Sequence, residues 1–359
     1  MSADYLIVGQ GVAGSVLAWR LHQQGKTVQI VGNPNGPAAS LAAAGIFNPL
    51  TGKKLVRTWK ADQLFPFLHQ FYTELETALG ASFMHHTAIY RPYRSIEEQN
   101  SYLAQTADPV IEPFVAAHSN DEDYAPFIKN PYGGLTVTQA GWIDTKALLT
   151  AVRAYFIEKG QFVEATFQYD QLKVDAEGVE WNGQRFRKVI FCEGPEGNKN
   201  PFFDWLPYNP VKGQVLDVEI EGYSVQNIVN QGIFILPYAE NKCRVGATYT
   251  WHDLDWETTE DGKQFLEVKL RDLLTVPYRI IGQRAGIRPA TKDRRPLIGL
   301  HPEHPAVAIF NGLGTKGVSL APFFADQFAD YLEGRKELEL AANISRHFSL
   351  YYHQKKLDL

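Results

Sequence analysis

The sequence predicts an α/β protein, α+β overall, built from a dinucleotide-binding domain and a second, antiparallel sheet. Three observations carry that reading. Asp4-Tyr5-Leu6-Ile7-Val8 is an apolar run that passes into Gly9-Gln10-Gly11-Val12-Ala13-Gly14, and residues 15–21 follow with apolar positions at helical spacing. Near the other end, residues 306–310, 311–317 and about 318–332 repeat the order of strand, glycine turn and helix. Between them, residues 210–219 and 232–247 alternate in the manner of long strands.

The opening turn has a specific physics. Gly9 permits the bend, Gly11 lets backbone N–H groups reach a pyrophosphate, and Gly14 lets the helix lie close on the strand. The helix N-terminus adds partial positive charge. A lone GxGxxG is weak, but strand before and helix after is its confirming context. Residues 26–31 make the second strand of a βαβ unit. Such folds usually end that strand on an acid for the ribose hydroxyls, whereas this chain has Gly32-Asn33. Asn33 keeps a hydrogen bond and loses the charge. Ser40-Leu41-Ala42-Ala43-Ala44-Gly45 is either a small-residue helix packed tightly or a flat backbone surface for a planar ring.

Further along, residues 62–79 read as an amphipathic helix capped by Asp62. His85 and His86 lie in a strand-like run without further metal ligands at suitable spacing. Ser95 to Glu98 reads as a capping box, and residues 106–134 show little periodicity. Residues 143–159 form a helix with Asp144 as cap. Residues 162–167, 171–174, 179–181 and 189–192 are strands, with turns at Ala176-Glu177-Gly178 and Asn182-Gly183. Residues 260–274 are a charged amphipathic helix.

Composition narrows the classes. With 359 residues the chain is long enough for two domains, and 45% hydrophobic with 21% charged residues suits a folded protein. A net charge of −5 offers no general attraction to nucleic acid or an anionic membrane. Cys192 and Cys243 alone cannot build a disulfide framework or a zinc site, which fits a reducing compartment. The first strand leaves no room for a signal peptide and no apolar run would span a bilayer, so a cytoplasmic protein is expected.

With these pieces in order, the chain resembles the D-amino-acid oxidase superfamily of FAD-dependent oxidoreductases. The resemblance rests on the opening turn, residues 40–45, Val189-Ile190-Phe191-Cys192-Glu193-Gly194, Pro210-Val211-Lys212-Gly213-Gln214, Val245-Gly246-Ala247-Thr248, residues 285–293 and Gly312-Leu313-Gly314-Thr315-Lys316-Gly317. Within the superfamily it is similar to glycine oxidases and to the flavin oxidase domain of the bifunctional enzymes that modify a tRNA wobble uridine. The resemblance implies a Rossmann-like FAD-binding domain from residues 1–60, 140–209 and 285–359, with an inserted antiparallel-sheet substrate domain from 61–139 and 210–284. It implies oxidation of a C–N bond in a small carboxylated amine, hydride passing to flavin, an imine forming, and dioxygen as the usual acceptor. Alternatives are the same oxidation on a tRNA-borne group, a flavin-binding protein without turnover, and an NAD-binding module.

The resemblance also assigns residues. Cofactor contacts are implied at Gly9, Gly11, Val12, Ala13, Gly14, Asn33, Ser40, Ala43, Ala44, Gly45, Ile46, Gly194, Gly312, Gly314, Thr315, Lys316 and Gly317, with no metal. Arg288 matches the arginine that grips the substrate carboxylate, a task suited to a guanidinium's two parallel hydrogen bonds. The competing role for Arg288 is a structural ion pair, with Asp293 or another carboxylate. Lys316 either adds positive charge beside the flavin's pyrimidine edge, favouring the reduced ring, or is a plain exposed lysine. Arg284, Lys292, Arg294 and Arg295 are read as solvated, with a local anion patch as the alternative. Two departures from glycine oxidases put glycine in doubt as substrate: Phe234 stands where a tyrosine assists carboxylate binding, and Thr315 where a second arginine lies. No cysteine falls near residues 288–317, where sarcosine oxidases attach their flavin, so FAD is expected to bind non-covalently. Tyr238 and Tyr249 are read as core or surface tyrosines, with a substrate-pocket hydroxyl as the alternative.

Overall fold

A computed structural model describes residues 3–52 and 54–357. Its first large sheet places Ala3–Val8 at the centre, with Val28–Gly32 on one side and Gln184–Phe191 on the other, all parallel. Phe162–Glu164 extends the sheet beyond Val28–Gly32, and Val307–Asn311 extends it beyond Gln184–Phe191. The strand order therefore reverses between Ala3–Val8 and Gln184–Phe191. In open α/β sheets a ligand crevice lies at such a point, outside the carboxyl ends of the strands. Tyr5 and Ile7 join one apolar core, and Leu6 and Val8 join another on the opposite face. Burial on both faces explains why this strand reads as a continuous apolar run.

Helices Val12–Gln23 and Gly317–Leu332 pack against each other on one face, joining the two ends of the chain. Arg20 Nε donates to Asp326 Oδ1 at 2.7 Å, and Lys26, Arg187 and the Tyr5 hydroxyl converge on Glu333. Helix Ala61–Leu79 braces the same pair: the Tyr72 hydroxyl donates to the Val318 carbonyl at 3.0 Å, and Trp59 stacks on Phe324.

The second large sheet runs in the order Arg279–Arg288, Val211–Glu219, Lys242–Gly246, Phe234–Ala239, Ile228–Asn230, Ile89–Pro92, Gly134–Val137. It is antiparallel except where Ile228–Asn230 meets Ile89–Pro92. Helix Glu260–Leu273 covers one face, burying Leu266 and Leu270 with Leu216 and Val218. Alternation along the strands sends Gly213, Val215, Gly286 and Arg288 to the other face, toward the crevice.

Several expectations need correction. Residues 232–247 are two strands of a hairpin, because Asn241 adopts a left-handed φ of 57° and turns the chain between Ala239 and Lys242. Asp62 sits in the first turn of its helix, where it favours the dipole, while Lys60 occupies the N-cap without capping the helix through its side chain. Ile143 belongs to strand Gly141–Ile143, and the next helix is Thr145–Glu158, with Asp144 accepting from Ala147 N at 3.0 Å. Strand Phe162–Glu164 is shorter than expected. Residues 165–171 leave the sheet and lay Phe167 and Tyr169 on Phe191. Ser95 accepts from Glu98 N as expected, whereas the Glu98 carboxylate turns to Arg94 N. The irregular stretch 106–134 is held by buried Ile111, Phe114, Tyr124 and Ile128, with Tyr124 stacked on Tyr90. Among the described residues, no helix is long and apolar enough to cross a membrane.

Candidate active site

A cavity of about 890 Å³ opens at the strand reversal, large among ligand pockets. At one end lies the opening turn. Gly9 has a φ of 102°, and a Cβ there would stand 2.5 Å from the Cys192 carbonyl oxygen, so only glycine fits between the strand ends. A Cβ at Gly14 would stand 1.9 Å from the Gly9 carbonyl oxygen, which shows how closely helix meets turn. Gly11 differs, since its nearest neighbour is the Ser40 hydroxyl at 3.2 Å and it faces the cavity. Val12 N donates to Ser40 Oγ at 3.1 Å, but the helix has no cap from its own N-cap residue and no acid in its first turn. Its partial positive charge is left facing the cavity.

Residues 39–46 line the next stretch of wall. Ala39–Ala42 is a single helical turn tight against Gly286, in keeping with the small-residue helix reading, and Ser40, Ala43, Ala44, Gly45 and Ile46 line the cavity. Gly45 is fixed by a φ of 67° and by Ile143, whose N–H donates to the Gly45 carbonyl.

The far-end turn forms a further part of the wall. Gly314 N donates to the Pro289 carbonyl at 3.1 Å, bringing Gly314, Thr315, Lys316 and Gly317 beside the end of the Arg288 strand. Helix Gly317–Leu332 likewise has no side-chain cap and no acid in its first turn. Lys316 is not a plain exposed lysine. Its Nζ donates to Thr58 Oγ1 at 3.3 Å, and burial, then Arg295 and Arg294, lower its proton affinity. Gly194 and Asn33 also reach the wall, whereas Gly14 and Gly312 do not. A Cβ at Gly312 would meet Leu297 at 2.9 Å, so Gly312, like Gly14, is a packing glycine.

Arg288 is half-buried, and among the described residues no carboxylate pairs with it. Asp293, the expected partner in a structural role, pairs instead with Arg346 at 3.0 Å. The Arg288 guanidinium donates weakly to the Thr248 and Lys212 carbonyls, at 3.2 and 3.4 Å, and lies 4.2 Å from the Tyr249 ring centre. Desolvation lowers its proton affinity, opposed in part by Tyr249. Gly213 makes room for it, because a Cβ there would stand 2.2 Å from the guanidinium. The signal in the sequence is a glycine between Val211 and Val215 on the inward face of their strand. Tyr249 is exposed, as a surface tyrosine would be, and also borders the cavity, while Tyr238 stacks on Arg244. Arg284 is not merely solvated, since it pairs with Asp217, and Arg295 lies over Trp59.

Glu193, also in the wall, was missed as a titrating group. Burial pushes its carboxyl up to about 7, only partly offset by the Tyr169 hydroxyl at 2.6 Å and Asn200 Nδ2 at 2.7 Å. Asn33 spends its amide on Thr166 Oγ1 at 3.3 Å and its carbonyl on Asn35 N at 3.0 Å. Cys192 reaches the wall at the Gly9 end, where burial holds its thiol well above the ordinary range and so unreactive. His85 stacks on Trp142 and His86 on His69, and no group of acids, histidines or cysteines among the described residues could hold a metal.

A crevice at the strand reversal, bordered by two glycine turns and the N-termini of the helices that follow them, is the arrangement that suits a dinucleotide. The chain belongs to the DAO family of FAD-dependent oxidoreductases, whose family model matches residues 4–331. Among its relatives is a tRNA 5-methylaminomethyl-2-thiouridine biosynthesis bifunctional protein of Marinobacter nauticus, 24% identical over 90% of this chain and 54% of that protein. The chain thus spans about half the length of such bifunctional relatives. A glycine oxidase of Pseudomonas putida is 24% identical over 94% of this chain and 96% of its own. Among solved structures, a glycine oxidase from Bacillus cereus superposes with a TM-score of 0.79 at 20% identity, covering 94% of this chain and 96% of that one.

The residues present fit FAD. Gly11 leaves open the space beside Ser40 that a larger side chain would fill, and the N-termini of both helices, without an acid in their first turns, border one cavity.

Proposed function

We propose that this protein oxidises the C–N bond of a small carboxylated amine, with dioxygen as acceptor and FAD held non-covalently. The unpaired Arg288 guanidinium in the cavity wall carries the reading, because a desolvated cation without a protein carboxylate is arranged for one from the substrate. In this reading residues 1–60, 140–209 and 285–359 hold FAD, and residues 61–139 and 210–284 complete the substrate side. The turn from Gly9 to Gly14 and the N-terminus of Val12–Gln23 would receive the pyrophosphate, and residues 39–46 would lie along the ring. FAD bound there supplies a hydride acceptor for the carbon next to the amine nitrogen. Arg288 holds the carboxylate and thereby fixes that carbon in one place. Lys316 and the N-terminus of Gly317–Leu332 hold positive charge at the cavity wall and would favour a reduced, anionic ring bound beside them.

A second reading, the same oxidation on an aminomethyl group carried by tRNA, is supported by the similarity to the bifunctional tRNA-modification relatives. The net charge of −5 weighs against it. Screening the purified yellow protein for flavin bleaching with amino acids, N-methyl amino acids and undermodified tRNA separates the two. A colourless protein that cannot be reconstituted with FAD would reject both.

A further inference from the structure

Strand Val211–Glu219 pairs with Arg279–Arg288 on one side, and on the other its first residues meet the segment after Gly246. Lys212 and Thr250 exchange both backbone hydrogen bonds, at 2.8 and 3.0 Å. Thr248 N donates to the Gln214 carbonyl at 3.1 Å, and Gln214 N donates to Thr248 Oγ1 at 2.9 Å. These bonds set Tyr249 directly across from Gly213, and residues so opposed send their side chains to one face of a sheet. Gly213 has no side chain to fill the space, and Arg288 fills it. Arg288 lies opposite Val211 on the other neighbouring strand, and its guanidinium crosses over Gly213. A Cβ at Gly213 would stand 2.2, 2.3 and 2.4 Å from Nη2, Cζ and Nη1, so the glycine meets the face of the guanidinium and not its edge. The guanidinium carbon ends 4.2 Å from the Tyr249 ring centre. Both hydrogen bonds that Arg288 gives to the protein leave from Nη1, so among the described residues Nη2 and Nε stay free to donate. Lys212, only 2% exposed, also reaches Asp255 and draws in the chain beyond Thr250. The Tyr249 backbone is therefore held on both sides before any ligand arrives, and an aromatic face attracts a guanidinium set against it.

We propose that Tyr249 is the positioning residue for Arg288: its ring holds the guanidinium over Gly213 with Nη2 and Nε left to the substrate carboxylate, so that the preference for a carboxylate depends on an aromatic ring at position 249. This rests on the reading of Arg288 as the carboxylate anchor.

The test uses the FAD-loaded protein and two readouts. Perturbation of the flavin absorbance reports binding of acetate without turnover, and anaerobic bleaching reports N-methylglycine and its methyl ester. Tyr249→Leu should weaken acetate about tenfold, the scale of a ring against a desolvated guanidinium, and Tyr249→Phe, which keeps the ring, should restore most of the loss. With N-methylglycine the effect of Tyr249→Leu should fall on KM and not on the limiting rate of bleaching, and the KM of the ester should not follow it. In an Arg288→Met background Tyr249→Leu should add no further loss, because the ring then has no guanidinium to hold. Acetate bound equally well by Tyr249→Leu and the unaltered protein, or lost equally in Tyr249→Phe, would overturn the role of the ring. An equal rise in KM for the ester would overturn it as well, since the ring would then shape the pocket without acting through Arg288. If Arg288→Met leaves acetate binding unchanged, the anchor itself fails. If Arg288→Met loses acetate and Tyr249→Leu does not, the anchor stands and the positioning role alone is rejected.

Discussion

Replacing Arg288 with methionine should make the protein more stable and less able to hold its substrate. The guanidinium is desolvated and unpaired among the described residues, with two long bonds to carbonyls and one ring for company. The Lys212 carbonyl keeps its bond from Thr250 N in the variant, so little is left unsatisfied. Exchanging buried charge for an apolar side chain of similar volume is commonly neutral or stabilising by about 1–4 kcal/mol, and the lower half of that range suits a half-buried group. For a carboxylated amine the loss runs the other way. Removing one member of a desolvated ion pair costs about 2–5 kcal/mol, and about 3 kcal/mol is roughly 150-fold in KM. Arg288→Lys keeps the charge without the fork and should recover only part of that loss. Urea unfolding and anaerobic flavin reduction against substrate concentration supply the two numbers. An unchanged KM, or a variant destabilised by several kcal/mol, would refute the reasoning and return Arg288 to a structural role.

Three further outcomes follow from the cavity walls. Gly11→Ala should weaken FAD retention at least about tenfold while stability of the flavin-free protein shifts by under about 1 kcal/mol; Gly14→Ala, whose Cβ would stand 1.9 Å from the Gly9 carbonyl oxygen, should fail to accumulate folded. Flavin fluorescence on dilution and soluble yield distinguish the two. The Glu193 carboxyl, raised by burial to about 7, keeps its proton in the folded protein between roughly pH 4.5 and 7 where the unfolded chain releases it. Stability from this group is therefore full below that window and is lost as pH rises through it, by about 3 kcal/mol. Glu193→Gln should flatten the stability–pH curve by that amount, and parallel curves for the two proteins would contradict the assignment. Lys316→Met should lower the two-electron flavin potential by about 30 mV or more, since 30 mV corresponds to about 1.4 kcal/mol of lost preference for the reduced ring. Potentiometric titration of the holoprotein reads it directly.

The parts of this protein that were legible in its sequence are those governed by local rules. The turn from Gly9 to Gly14 declared itself because strand, glycines and helix are consecutive, and Asp144 because a cap needs only its own helix. Asn241 is equally local, yet an asparagine between alternating residues does not announce a left-handed turn, and the hairpin was read through. The site was harder because its chemistry depends on what does not happen. Asp293, five residues on from Arg288, pairs with Arg346 instead, and nothing local to Arg288 reveals that. Glu193 looked like part of a family signature, and its raised proton affinity arises from burial that only the fold creates. The pinning of residues 249–256 by Lys212 joins positions 43 apart, and no spacing rule reaches that far.

The most direct test of the account compares N-methylglycine with its methyl ester as anaerobic reductants of the bound flavin. The two share the amine and the oxidisable carbon and differ in the carboxylate that Arg288 is arranged to hold. The account predicts flavin bleaching by N-methylglycine at a KM at least about a hundredfold below that of the ester, with the gap closing in Arg288→Met. Bleaching by both compounds at the same concentration, or an equal gap in the variant, would contradict it.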